Sequence, residues 1–124
     1  MLGHSFPTRR SSDLVGQHAY ADPLTAPGEI DLTAHVDFQA LSRAAEAMGV
    51  NGFGPIDQSA FLRHLGIETR AAKLKAKASS AAGAADIDAA LARLTGHGRT
   101  GMGVLFKAAA FAHPSVGVPP GFER

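Results

Sequence analysis

Cysteine is absent from the 124 residues, which excludes disulfides and thiolate metal sites and fits a reducing compartment. Tryptophan is absent too, and tyrosine occurs once. No apolar run approaches the roughly 18 residues needed to span a bilayer, so no membrane partner is expected. Neither sign of charge dominates. The formal net charge is +1, which leaves no electrostatic footprint for nucleic acid. What remains is an ordinary globular composition, 45% hydrophobic and 19% charged, long enough for one small domain.

The N-terminal residues differ from the rest. Met1 to Leu14 is polar and shows neither helical nor strand periodicity. Arg9-Arg10 could suggest a twin-arginine export signal, but Ser11, Ser12 and Asp13 follow where an apolar stretch is required. His4 to Leu14, HSFPTRRSSDL, instead resembles the codon-by-codon translation of a common short-read sequencing adapter. The expectation is an artefactual or disordered tail over 1–14, with no reason to pack. The native segment is then 15–124, the end of a longer protein.

Ile30 to Val36 alternates apolar and polar residues, as a short strand would. Asp37 stands where a helix cap belongs. Phe38, Leu41, Ala45 and Met48 recur at helical spacing up to the stop at Gly49, predicting a helix over Asp37 to Met48. Val50 to Ile56 is a short extended piece. Asp57 reads as a second cap, followed by Phe61, Leu62 and Leu65 on one face and a stop at Gly66. Glu68 to Ala78 reads as a third helix, its acid early and its lysines late, as the helix dipole favours. Ser79 to Gly83 reads as a linker, and Asp86 to Leu94 as a fourth helix. After the glycine loop Gly96 to Gly103, the apolar run Val104 to Ala112 suits a strand buried on both faces. The proline-rich tail from His113 should be irregular.

Such a strand needs neighbours on both edges, and this chain offers too few strands to supply them. Apolar surface at Leu105 and Phe106 should therefore be left exposed.

Gly96-His97-Gly98-Arg99-Thr100-Gly101 matches G-x-G-x-x-G, the dinucleotide fingerprint. That chemistry needs a strand before the glycines and a helix after them. Here the order is reversed, and a helix-to-strand loop is the better reading. Asp31, Thr33, His35 and Asp37 are spaced by two, so an extended segment would place them on one face. Histidine between carboxylates could bind a metal or move protons, or the set could be a polar strand face ending in a cap. His18, His64, His97 and His113 do not pair at ligand spacing, and surface roles are expected for them. The lysines of the third helix read as a solvated face.

Several segments, in order, carry a resemblance. They are HAYADPL from His18, PGE from Pro27, DLTAHVDF from Asp31 and GPIDQSAFLRHLGIETR from Gly54. ALARLTG from Ala90, MGVLFK from Met102 and PPGFE from Pro119 follow. Together they are similar to the C-terminal region of the MidA-type methyltransferases. The resemblance implies an α/β fold, the C-terminal portion of a class I, Rossmann-like methyltransferase with S-adenosylmethionine as cofactor. As isolated here it would be mostly helical, with two or three strands and a helical insertion at about 57–95.

In that frame Val15 to His18 lies near the end of the fifth strand, Val50 to Ile56 is the sixth and Val104 to Ala112 the seventh. The family's first strands and glycine loop have no counterpart here, so no residue is carried over as cofactor-binding or metal-binding. Asp31, Thr33, His35, Asp37 and Gln58 match family positions that could edge the active cleft; Gln58 could equally be a helix-start hydrogen-bonder. The resemblance further implies a protein arginine as acceptor, a complex I subunit as the protein substrate, and a bacterial cytoplasmic setting. A non-catalytic helical interaction module is the alternative.

Overall fold

A computed structural model describes residues 12–16, 19–22, 24, 26–28 and 31–123. The chain divides into two compact units, Met1–Asp37 and Phe38–Arg124.

Among its described residues the first unit contains three short strands, β1 (Ser12–Gly16), β2 (Ala19–Ala21) and β3 (Asp31–Ala34). β1 is central and antiparallel to both neighbours. Two expectations change here. Ser12, Asp13 and Leu14 are not an unpaired tail, since they oppose Ala34, Thr33 and Leu32. A ladder is made by backbone groups, and none of the three is a proline that would withhold a donor. Val15 and Gly16, expected near the end of a fifth strand of a larger sheet, belong to the central strand of this three-stranded antiparallel sheet. The rest of the stretch expected as a tail lies outside the described residues.

The second unit begins with α1 (Phe38–Ala47). Its end is a Schellman turn. Gly49 takes φ 75°, its N–H donates to Glu46 O at 2.9 Å, and Val50 N–H donates to Ala45 O at 3.0 Å. Met48 falls just past the helix and is 81% exposed, so it leaves the expected apolar stripe.

β4 (Asn51–Asp57) and β5 (Lys107–Ala112) form a two-stranded antiparallel sheet, against which α1 packs. The register shifts by one residue between Phe53 and Ile56, where Pro55 has no N–H to give the ladder. Between these strands in sequence come α2 (Gln58–His64), α3 (Ile67–Ala76) and α4 (Ala81–Thr95). The described residues are thus mixed α/β, with more residues in the helices than in the strands but fewer than half of them helical, and with five short strands where two or three were expected.

The expected long buried strand is shorter and more open. Residues 104–106 stay outside it, and Leu105 and Phe106 are 67% and 46% exposed, as a sheet short of neighbours requires. Among the described residues β5 pairs only with β4, so an apolar run did not bring burial on both faces.

α4 begins earlier than the expected linker allows. Ser80 caps it, its Oγ accepting from Gly83 N–H at 3.0 Å, and the alanines from Ala81 then propagate the helix. Replacing Ser80 with alanine is expected to cost about 1 kcal/mol, read as a lower urea midpoint at unchanged slope.

The tail from His113 is irregular, as expected, but it is not idle. Phe122 sets its ring 5.4 Å from Phe61 and 6.4 Å from Phe53, both tilted. His64 Nδ1 donates to Gly121 O at 3.0 Å, which gives that histidine a structural role. Packing is otherwise modest. Ala71 is the buried apolar residue among those described, and no large side chain is fully buried.

Candidate functional site

Asp31 and Thr33 are alternate residues of β3, opposite Val15 and Asp13 of β1. The strand register carries these two positions. It does not extend to His35 and Asp37. The strand ends at Ala34, and both residues lie in the exposed connection before α1. The polar set is thus a strand pair followed by a solvent-facing pair. Among the described residues no group of three or more His, Asp or Glu could hold a metal.

Gln58 belongs to the second unit and has a defined task there. Its Nε2 donates to Leu94 O at 2.9 Å, and its backbone N–H donates to Phe106 O at 2.9 Å. It ties the start of α2 to the end of α4 and to the approach to β5. The helix-start reading of Gln58 accounts for these contacts.

Asp57 does stand at the N-cap of α2, yet its side chain makes no capping bond. Its Oδ1 accepts from Lys107 Nζ of β5 instead. The charged partner comes from far along the chain, which local sequence cannot reveal.

The glycine loop after α4 is a backbone junction. Gly103 N–H donates to Gly96 O at 2.9 Å, Met102 N–H to Arg93 O at 2.8 Å, and Ser59 N–H to Gly103 O at 2.9 Å. A Cβ on Gly101 would overlap Gly96 O, and one on Gly103 would overlap Thr95 O. These glycines serve close backbone approach. No described stretch runs strand, glycine turn and helix in the order that cradles a nucleotide-type cofactor.

What the sequence reading missed is a trough among the three helices, bordered by Arg70, Lys73 and Lys77. Their spacing of three and seven, with Leu74 at four, was its available signal.

Residues 9–56 match a family model described as "Putative S-adenosyl-L-methionine-dependent methyltransferase". Among curated proteins, the chain is 47% identical over 62 residues to "Protein arginine methyltransferase NDUFAF7, mitochondrial" of Rattus norvegicus. That match covers 50% of this chain and 14% of the rat protein. The human protein of the same name is 49% identical over 53 residues, 43% of this chain and 12% of its own. The "Protein arginine methyltransferase NDUFAF7 homolog, mitochondrial" of Drosophila melanogaster is 44% identical over 63 residues, 50% of this chain and 14% of its own. The matched stretch thus spans about one seventh of the length of these relatives. They also overturn one expectation. Their names place them in mitochondria of eukaryotes, so they point to mitochondria and away from a bacterial cytoplasm. The residues matched by the family model, fewer than half of the chain, take in the DLTAHVDF segment and nearly all of β4, and over them the chain is similar to the S-adenosyl-L-methionine-dependent methyltransferases.

Proposed function

We propose that this chain is the C-terminal part of a protein arginine methyltransferase, and that it supplies the acceptor side of the site. The observation that carries the reading is the family match over residues 9–56 together with relatives named as protein arginine methyltransferases. The resemblance of the later segments, from Gly54 to Glu123, extends it toward the C-terminus. The acceptor protein would be a subunit of respiratory complex I, as the MidA-type resemblance implies.

S-adenosylmethionine supplies an electrophilic methyl group when bound. The residues described here do not fit its cradle, and no step is assigned to this chain through it. What this chain offers is carboxylate chemistry. Asp31 and Asp37 flank Thr33 and His35, and a carboxylate pairs with a planar guanidinium through two parallel hydrogen bonds. Such a pair would hold an acceptor arginine in place. Gln58 would hold the helix junction of the second unit.

Calorimetry tests the division of labour. The 124-residue chain is expected to give no heat of binding with S-adenosylmethionine. A full-length protein carrying this segment is expected to bind it with micromolar affinity, about −8 kcal/mol. Tight binding by the short chain would contradict the assignment of the cofactor site elsewhere.

A further inference from the structure

Lys73, Lys75 and Lys77 do not form one solvated face. Lys75 Nζ pairs with Asp88 Oδ1 of α4 at 2.7 Å. Arg70, Lys73 and Lys77 fall at i, i+3 and i+7 of another stripe, with Leu74 at i+4 among them. Among the described residues none of these three cations has an ion-pair partner.

The stripe borders two adjoining depressions. One, of about 360 Å³, lies among α2, α3 and α4 and is lined by Leu62, Leu65, Leu74, Leu91 and Leu94, with Arg70. The other, of about 480 Å³, shares Leu65, Arg70 and Leu74 and adds Thr69, Lys73 and Lys77. The result is a continuous trough, apolar on one side and cationic on the other. Leu65 and Leu74 are 50% and 42% exposed within it. Covering them would remove apolar surface from water, and opposite charge would relieve the crowding of three cations.

We propose that this trough receives an acidic amphipathic helix of a partner protein. α3 is about 15 Å long, which matches roughly three turns of a docked helix and its i, i+3 or i+4, and i+7 apolar anchors. Carboxylates on the flank of that helix would meet Arg70, Lys73 and Lys77. A second copy of this chain fits poorly. α1 carries one cation, Arg43, for its one acid, Glu46, α2 ends in Arg63 and His64, α3 is itself cationic, and the apolar face of α4 already lines the trough. A bilayer fits poorly as well, because the apolar surface is concave. The inference rests on the helical unit alone and holds independently of the methyltransferase reading.

The test is fluorescence anisotropy with the full chain and two labelled helical peptides of about 16 residues. Both carry leucines at i, i+3 and i+7; one has glutamates on the flanks, the other lysines. The glutamate peptide is expected to bind at least about ten-fold tighter, and less tightly as salt rises. In the Lys73→Glu, Lys77→Glu chain, whose exposed changes should leave the circular dichroism spectrum intact, the preference should invert. Equal binding of both peptides would overturn the proposal, as would binding of neither, or a preference that survives charge reversal. Two further outcomes also overturn it: charge-dependent binding to phosphatidylserine-containing vesicles without peptide binding, and a dimer in sedimentation that the charge reversal abolishes.

Discussion

Replacing Gly103 with alanine is expected to unfold much of the helical unit. A methyl group there would overlap Thr95 O and lie 2.5 Å from Thr95 C and 2.8 Å from Gly96 O. These are backbone atoms, so no side chain can swing aside. They are also held from both directions, by Gly103 N–H to Gly96 O and by Ser59 N–H to Gly103 O, each at 2.9 Å. Relief would require moving the end of α4 away from the start of α2, where Ser59 and Thr95 are both buried. Overpacking against fixed backbone costs about 3 kcal/mol or more, a large part of the roughly 5–15 kcal/mol that holds a domain folded. Gly117 is the matched control, since a Cβ there meets nothing within 4 Å. Far-UV circular dichroism should show Gly103→Ala losing about half or more of the helical signal while Gly117→Ala keeps it. Equal spectra would mean that the junction yields and that its close approach is not structural.

A full-length protein carrying Asp31→Asn and Asp37→Asn together is expected to lose methyl transfer by about 10²-fold, with cofactor affinity unchanged. Asparagine keeps the size of aspartate but loses the charge and the symmetric pair of acceptor oxygens. A guanidinium presents its N–H groups in a fixed plane, so that loss falls on orientation of the acceptor. The effect should appear in turnover with the protein acceptor. Thr33→Ala removes one hydroxyl and no charge, and should cost less. Unchanged transfer by the double variant would remove Asp31 and Asp37 from the site and leave the methyltransferase reading standing.

Parts of this structure were legible in local sequence because their causes are local. Gly49 and Gly66 mark the ends of α1 and α2 and take φ 75° and 86°, values an L side chain resists. The alternation at Asp31 to Ala34 gave a strand because half of its residues repeat at period two. Readings failed where the cause was distant. Asp57 resembles a cap, but Lys107, fifty residues away, claims its carboxylate. Val104 to Ala112 is apolar enough for a buried strand, yet burial depends on neighbours, and composition does not count them. The same holds for the site. The spacing of Asp31, Thr33, His35 and Asp37 was visible, but the end of the strand at Ala34, which separates the first pair from the second, was not. The helical trough escaped notice because its leucines come from three helices, each of which reads alone as ordinary amphipathic packing.

The most direct test of the central claim is transfer of labelled methyl from S-adenosylmethionine by a full-length protein carrying this segment, with a complex I subunit fraction as acceptor. The label should be recovered as methylarginine after acid hydrolysis of the acceptor protein. Label recovered on lysine, on a small molecule, or on nothing at all would contradict the assignment of this chain to a protein arginine methyltransferase.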